Sequence, residues 1–545
     1  MRLPLALAPL LRSTTPRASP ISRHLYCSHF TTASQLAMSV VQQSPPSGES
    51  PFKRQRLDDD ESKAGSEQQH QAQASSSALP AAAGPSASVA APPLPNGPRL
   101  GKPLPPELVS SYDPSNFPSE LPKSTSLLNY RHGLFLAPMV RIGALPTRLL
   151  SLEYGADLVW GPEIIDRALM GSERIVDPQT QAVHFMKDGK SVFSTHPVER
   201  PYVIFQLGCA TPAWAYEAVK LVTQNDDVAG VDLNCGCPKN FSTTGGMGAG
   251  LLPRPDLLCD ILRAMRRAAP PHVAVTCKLR LLPTEEATKA LIRQICRTGA
   301  VDAITIHCRT KEMRPREPAL LNRISEVVDT VCEETGGKMP VCHNGDSWSW
   351  KEAQQIMKDG KVTSSMLARG PEKNPSCFRE GDMACVVDEI VPKWLKYAVM
   401  LDNQSGNTKY CLNTLDWNSS SGGRRGTDGA LTRQEILKVK EGVARAKTNE
   451  EMCAVDRYKG RIDVGRCKTD WKEYVMGDLE KALAQRQERR ASAQANEGEA
   501  AVEVSVNGEV AGAAAEGVVP GKAEENAADE AKKGGEDPAV EQPAQ

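Results

Sequence analysis

The chain lacks the long apolar runs and the regular cysteine spacing that mark membrane proteins and disulfide-bonded domains. No window approaches about 18 uninterrupted apolar residues, so we expect no membrane span. The 15 cysteines are scattered, and we expect them to be reduced in a cytosolic, nuclear or mitochondrial-matrix setting. Aromatic residues make up only 5%, whereas 41 Gly and 41 Pro in 545 residues indicate long unstructured stretches. The formal net charge of -1 excludes no class of partner, because the two ends differ from the middle.

Acidic residues are missing from the start of the chain, where the first is Glu49. The residues before it are rich in Ser, Thr, Leu and Ala and include Arg2, Arg12, Arg17 and Arg23. This composition is typical of a mitochondrial transit peptide, here predicted over residues 1–40, and an ordinary disordered tail is the alternative. Met38 offers a second start. We expect a mitochondrial form from Met1 and a cytoplasmic or nuclear form from Met38.

Two further segments have too few apolar residues to build a core. Residues 41–125 are rich in Ser, Ala, Pro and Gln, and residues 489–545 are dominated by Ala, Glu and Gly. Both are predicted to be disordered. The short cluster Lys53-Arg54-Gln55-Arg56 is of the nuclear-localisation type, although four acidic residues follow closely and such clusters are common by chance.

The middle of the chain alternates short apolar runs with stretches of helical spacing. The runs are continuous, as expected of parallel strands buried on both faces. They cover 133–140, 158–164, 203–208, 230–236, 273–280, 303–309, 339–345 and 364–370. Eight such runs in this length predict an α/β fold, a (β/α)₈ TIM barrel over residues 128–375, followed by a helical domain over 376–488. A doubly wound open sheet is the alternative, but the first run is not followed by a G-x-G-x-x-G turn.

The fourth run ends in a turn that lifts a thiol clear of its strand. Gly236 permits the bend, and Pro238 has no amide to continue a ladder. Cys237 therefore lies at the carboxyl end of a parallel strand, where the chemistry of such folds takes place. A buried structural cysteine is the alternative on this turn alone.

Nearly every run ends in a polar or ionisable residue, which is hard to reconcile with packing alone. The set comprises Glu163, Gln206, Asn234, Cys237, Lys278, Arg280, His307, Arg309, Asn344, Asp346 and Arg369, with Pro138 and Met139 after the first run. Loops after the seventh and eighth barrel strands commonly hold a phosphate, and Lys278 is placed to stabilise a reduced flavin. A Schiff base on Lys278 is the alternative chemistry, but it leaves Cys237 without a role. No cysteine or histidine spacing predicts a metal site.

Several motifs, taken in order, resemble the tRNA-dihydrouridine synthase family. They are Leu136-Ala137-Pro138-Met139-Val140, Asn234-Cys235-Gly236-Cys237-Pro238-Lys239, His307-Cys308-Arg309-Thr310 and Asn344-Gly345-Asp346. The run 241–250 and Asn407-Thr408-Lys409-Tyr410-Cys411-Leu412 resemble the eukaryotic branch that acts on uridine 20. The resemblance covers about residues 128–415.

The resemblance implies an FMN-dependent barrel that reduces uridine in tRNA, with NADPH or NADH as reductant. It implies Cys237 as the proton donor to C5 of the uracil after hydride reaches C6. It implies that FMN is bound by Pro138, Met139, Val140, Gln206, Lys278, His307, Asn344, Gly345, Asp346, Ala368 and Arg369. We expect a monomer that binds tRNA and neither a membrane nor a metal ion.

Two positions depart from the family pattern. Cys235 stands where a Met is common, and Thr244 stands where a Lys is common. No double-stranded-RNA module of the kind found in animal members is seen.

Cationic residues near the predicted mouth suggest contacts with nucleic acid. The predicted substrate-binding residues are Asn234, Arg280, Arg309, Arg314 and Lys409, and Lys311, Arg316, Lys393, Lys396 and Tyr410 fit further contacts. Two rival functions remain open at this point. One is a flavin oxidoreductase of a free pyrimidine or another small enone, and the other is an RNA-binding protein without catalysis.

Overall fold

The computed structural model describes residues 112–417 and 431–489. The transit-peptide prediction for 1–40, most of the low-complexity segment and the tail from 490 onward lie outside the described residues, as does the predicted loop at 419–429. The end of the low-complexity range is described: Tyr112 and Phe117 pack around Tyr216, with ring centroids 5.1 and 5.4 Å from it. These two aromatic residues explain why this part of a polar segment lies against the folded domain.

The described strands form two sheets, and the larger sheet is a closed parallel barrel. The strands are β1 Gly133–Leu136, β2 Leu158–Trp160, β3 Ile164–Ile165, β4 Glu173–Val176, β5 Val183–Lys187, β6 Lys190–Thr195, β7 Val203–Gly208, β8 Gly230–Cys235, β9 Ala274–Arg280, β10 Ala303–His307, β11 Val341–Asn344 and β12 Ser364–Leu367. Neighbours around the barrel run β2, β1, β12, β11, β10, β9, β8 and β7, and pairing of β2 with β7 closes it. The predicted (β/α)₈ barrel is confirmed, and closure excludes the open sheet.

Helices cover the outside of the barrel and continue beyond it. They are α1 Leu145–Glu153, α2 Asp166–Leu169, α3 Pro212–Thr223, α4 Asn240–Thr244, α5 Pro255–Ala268, α6 Glu285–Arg297, α7 Ile324–Thr335, α8 Trp350–Gly360, α9 Arg369–Lys373, α10 Val391–Met400, α11 Ser405–Thr414, α12 Arg433–Arg445, α13 Asn449–Cys453, α14 Val464–Thr469 and α15 Trp471–Tyr474, and residues 477–489 are also helical. In α5 the residues Leu258, Ile261, Leu262 and Met265 are buried, which is the helical spacing of a core-facing stripe.

The sequence analysis missed a small antiparallel sheet of β4, β5 and β6, inserted between β3 and β7. Its strands are short and only partly buried, so their apolar runs are weak. The fully buried Asp227 holds it in place, because its carboxylate accepts from Arg174 at 2.6 and 2.8 Å and from Arg200 at 3.1 Å.

The helices after the barrel pack back onto it. Trp471 donates to the carbonyl of Gln179 at 3.0 Å, which fixes α15 against the small sheet. Arg486 donates to the carbonyls of Leu152 and Ala156 near the carboxyl end of α1, with the Leu152 bond at 2.7 Å. In the part of the chain that the structure describes, no helix has the length and apolar character needed to span a bilayer.

Candidate active site

The turn after β8 presents Cys237 at the carboxyl mouth of the barrel. The side-chain oxygen of Asn234 accepts from the amides of Gly236 and Cys237, each at 3.0 Å, which locks the bend. Gly248, with φ +56°, lies so close that a Cβ there would meet the carbonyl oxygen of Cys237 at 2.7 Å. The turn therefore depends on a glycine well beyond the cysteine in sequence, and the thiol of Cys237 remains partly exposed.

The neighbouring thiol of Cys235 has different surroundings. Strand alternation directs Asn234 into the barrel and Cys235 toward the helices, where it is 0% exposed. Burial raises the pKa of the Cys235 thiol well above its ordinary value. Burial also raises the pKa of Cys237, but only this second thiol can reach a molecule in the mouth.

Lys278 lies near the end of β9 and points its ammonium at the next strands. The ammonium donates to the side-chain oxygen of Asn344 at 2.8 Å, and the Asn344 amide donates to the carbonyl of Met366 at 2.7 Å. Burial and the nearby Arg280 guanidinium lower the pKa of Lys278 to about 8. Lys278 is thus mostly cationic at neutral pH and is held in place by one neutral partner.

A buried carboxylate beneath the mouth was missed by the sequence analysis. Asp232 is 0% exposed and accepts from the Gln206 amide at 2.8 Å and from the Thr276 hydroxyl at 2.7 Å. Burial raises its pKa to about 6 despite these bonds. A charged residue two positions before Asn234, hence on the same inward face, was the signal that could have identified it.

An open cavity lies at the mouth between β9, β10, β11 and β12. It is lined by Arg280, His307, Arg309, Pro315, Asn344, Gly345, Asp346, Ser347, Ala368 and Arg369. Six predicted cofactor-binding residues therefore line one space: His307, Asn344, Gly345, Asp346, Ala368 and Arg369. Gly345 adopts φ +133°, a conformation open to glycine and rarely to other residues, which bares the backbone at the cavity.

Asp346 joins two arginines at the edge of this cavity. It accepts from Arg309 at 2.5 Å and from Arg369, and its second oxygen accepts from the Ala319 amide at 2.6 Å. Burial would raise its pKa, but the Arg309 hydrogen bond and the two positive charges hold that pKa below its ordinary value. The carboxylate leaves one net positive charge in this trio.

His307 lies beside the same trio and is neutral. Burial, with the positive charges of Lys278 and Arg280, lowers its pKa well below the ordinary range. The Arg309 guanidinium approaches the Nε2 atom of His307 at 3.3 Å, consistent with a ring nitrogen that accepts. The imidazole is therefore available as a neutral hydrogen-bonding group and not as a fixed charge.

The predicted substrate-binding residues differ in how far they are exposed to solvent. Asn234, Arg280 and Arg309 are buried at the mouth, and Arg280 bridges the carbonyls of Gly236 and Thr310 at 2.8 Å each. Arg309 is 3% exposed and bonds the carbonyl of Glu317 at 2.8 Å, so its guanidinium organises the loop after β10. Contact of these buried guanidinium groups with a substrate stays a prediction.

The exposed cations of that loop are Lys311, Arg314 and Arg316. Lys409 is partly exposed on α11. By contrast, Lys393 pairs with Glu153 and with Asp478 at 3.0 Å, and Lys396 lies over the Tyr474 ring at 4.0 Å from its centroid. Lys393 therefore joins α10 to α1 of the barrel, whereas Lys396 packs within the helical region.

The loop after β1 meets the helices that follow the barrel. Pro138, Met139 and Val140 follow β1, and Val140 is exposed. The next residue, Arg141, stacks its guanidinium over Tyr410 at 3.7 Å from the ring centroid, and its carbonyl accepts from Asn407 at 2.7 Å. This contact places Tyr410, a predicted nucleic-acid contact, beside the predicted cofactor loop.

A family model described as dihydrouridine synthase (Dus) matches residues 135–416, from β1 through α11. The chain belongs to the dihydrouridine synthase family. This match covers the barrel strands, the Cys237 turn and the residues that line the cavity.

Three curated relatives are all named tRNA-dihydrouridine synthases. The chain is 48% identical over 297 residues to the tRNA-dihydrouridine(20) synthase [NAD(P)+] of Schizosaccharomyces pombe, covering 53% of this chain and 60% of that protein, which is less than two thirds of its length. It is 37% identical over 309 residues to the Saccharomyces cerevisiae protein of the same name, covering 53% of this chain and 78% of that protein. A tRNA-dihydrouridine(20a/20b) synthase of S. cerevisiae is 31% identical over 243 residues, covering 44% of this chain and 60% of that protein.

Proposed function

We propose that this protein is a tRNA-dihydrouridine synthase that reduces the C5–C6 double bond of a uridine, at position 20, with FMN as cofactor and NADPH or NADH as reductant. The observation that carries the proposal is the partly exposed Cys237 thiol, on a locked turn at the mouth of a barrel whose cationic cavity lies on adjacent strands. Family membership and the names of the two yeast relatives support the substrate and the reductant.

The residues at the mouth fit a flavin mononucleotide. Gly345 has no side chain to cover its backbone, and a Cβ there would meet the Ala319 side chain at 3.1 Å. Arg369 follows β12 and lines the same cavity. These groups suit a phosphate, whereas Lys278, Asn344, Gln206 and the neutral His307 offer donors and acceptors for a heterocyclic ring. A bound reduced FMN would supply hydride for C6 of the uracil.

Cys237 supplies the proton for C5. Burial and the Glu163 carboxylate raise the pKa of the thiol, so it is protonated at neutral pH. The bonds to Asn234 fix the backbone that carries Cys237, which limits the entropy lost when the substrate arrives. Since a stacked base cannot enter the barrel, the target uridine must be flipped out of the tRNA.

The test compares substrates on the same purified, FMN-loaded protein. With NAD(P)H supplied, we expect dihydrouridine in tRNA and none from free uridine or uracil. Reduction of free pyrimidine at a comparable rate would instead favour the rival flavin oxidoreductase, which has no need for the exposed cations of the loop after β10.

A further inference from the structure

A small cluster of polar side chains surrounds Cys237, and it includes the Glu163 carboxylate that raises the pKa of the thiol. Glu163 lies between β2 and β3, and its Oε1 atom accepts from the Ser242 hydroxyl at 3.4 Å. Ser242 is 0% exposed and begins the stretch that returns to the cysteine turn. Cys237 and Asn234 lie close enough to the same carboxylate to lower its pKa. The segments that follow β2 and β8 thus meet at one carboxyl group.

Two glycines make room for this cluster. A Cβ on Gly208, at the end of β7, would meet Oε1 of Glu163 at 2.7 Å. A Cβ on Gly248 would meet the Ser242 hydroxyl at 2.4 Å and the Cβ of Cys237 at 3.1 Å. The side chains of Glu163, Ser242 and Cys237 therefore occupy space that a larger residue at Gly208 or Gly248 would fill.

No ion pair is formed by the carboxyl group of Glu163 among the described residues, although the positive charge of Lys239 acts on it from further away. Among the described residues, no Lys, Arg or His nitrogen lies within ion-pair distance of Glu163. Burial raises its pKa, and the nearby side chains of Ser242, Cys237 and Asn234 offset this in part. A partly buried carboxylate without an ion-pair partner is costly for folding, which argues for a use beyond packing.

We propose that Glu163 is a positioning residue for Cys237, which keeps its thiol protonated and returns a proton to its thiolate through the Ser242 hydroxyl. This inference rests on the proposed function. In the reaction the S–H bond of Cys237 breaks as a C5–H bond forms, which leaves a thiolate. Glu163 then takes a proton from solvent and gives it to the Ser242 oxygen while Ser242 gives its own to sulfur, which restores both the Glu163 carboxylate and the Cys237 thiol. No electrons are transferred in this reset.

Other charged groups face the same thiol and enter any pH dependence. Lys239, one residue past the turn proline, and Arg280, which bonds the Gly236 carbonyl, both act on Cys237 with positive charge. Glu163 is the negative group that opposes them. Loss of its charge should therefore leave the thiol under the influence of two cations, which favours the thiolate.

The test measures the alkylation rate of Cys237 against pH, resolved by peptide mass spectrometry on the full-length FMN-loaded protein. In Glu163→Gln we expect the thiol to ionise at lower pH, so alkylation at neutral pH becomes several-fold faster. In Ser242→Ala we expect the opposite shift, because the Ser242 hydroxyl stabilises the thiolate. Glu163→Asp, which keeps the charge, should lie near the wild type. An alkylation profile of Glu163→Gln that coincides with the wild type would overturn the proposal.

The control is Asp329→Asn, which removes an exposed carboxylate on α7, outside the barrel, and should leave the profile unchanged. Turnover gives a second readout: in Glu163→Gln the alkaline fall of kcat should move to lower pH, with little change in KM for tRNA. Because alkylation needs no uridine reduction, a protein without dihydrouridine activity but with the expected thiol shifts would contradict only the proposed reaction.

Discussion

Two cysteines two positions apart illustrate how little separates a structural thiol from a reactive one. Cys235 and Cys237 have similar neighbours in sequence, but the end of β8 falls between them. Cys235 still belongs to the strand and faces the helices, whereas Cys237 follows the bend that Asn234 and Gly248 hold in place. The sequence could predict the turn, since Gly and Pro mark it. It could not predict the Glu163 and Ser242 contacts, because these join residues far apart in the chain.

Replacing Cys237 by Ala should abolish dihydrouridine formation, because no other described thiol reaches the mouth beside the Asn234 turn. FMN content, read from flavin absorbance, and tRNA affinity should change little, since Cys237 is not among the residues that line the cavity. Cys235→Ala is the matched control and should cost only mild stability through a small cavity. Loss of turnover that followed Cys235 would instead refute this assignment.

Asp232 makes stability depend on pH in a predictable direction. Its pKa is about 6 in the folded protein against an ordinary 3.8, so the folded state retains a proton that the unfolded chain has released. Stability should therefore fall as pH rises from about 4 to 6, by about 3 kcal/mol. In Asp232→Asn this fall should vanish, which urea unfolding across that range can measure. A difference in the free energy of unfolding between Asp232→Asn and the wild type that stays constant over this pH range would contradict the prediction. The control is Asp329→Asn, which removes a carboxylate on α7 outside the barrel.

At the scale of elements, the eight apolar runs predicted the barrel because each strand is buried on both faces. The small antiparallel sheet was not predicted because apolar and polar residues alternate only weakly along its strands. The residue that holds it in place, Asp227, lies in the loop before β8. Arg309 is a similar case. Its position after β10 suggested a surface cation, but Asp346, its partner, comes from the loop after another strand. Which charges become paired is decided by the closed barrel, and the sequence alone does not reveal it.

The contact between α1 and the small sheet depends on a buried ion pair. Arg148 and Glu199 meet at 2.6 and 2.9 Å, and the guanidinium also bonds the carbonyls of Gly143 and Ser194. Arg148→Met should lower the free energy of unfolding by about 3–5 kcal/mol, because it leaves the buried Glu199 carboxylate without its charged partner. Arg148→Met with Glu199→Leu should recover much of this stability in urea titrations. A single-variant cost below about 1 kcal/mol, the range of exposed pairs, would show that the pair is not buried as described.

At the scale of the whole molecule, the mouth combines a buried cationic cavity with an exposed cationic loop. The first suits a small anionic cofactor, and the second suits a larger polyanion. Replacing Lys311, Arg314 and Arg316 together by Gln should weaken tRNA binding and flatten its salt dependence. For every phosphate that the variant no longer neutralises, the log–log slope should become shallower by roughly 0.7–0.9. The control replaces Lys338, Lys358 and Lys361, which lie away from the mouth, and should leave the slope unchanged. Equal slopes in both triple variants would contradict a tRNA surface on this loop.

We propose that this barrel reduces uridine 20 of tRNA with the Cys237 proton. The most direct test of this proposal maps dihydrouridine, position by position, in tRNA from cells that lack the protein and carry either the wild type or Cys237→Ala. We predict that dihydrouridine is absent at position 20 without the protein, returns with the wild type and does not return with the variant. Dihydrouridine at position 20 in cells that carry only Cys237→Ala would contradict it.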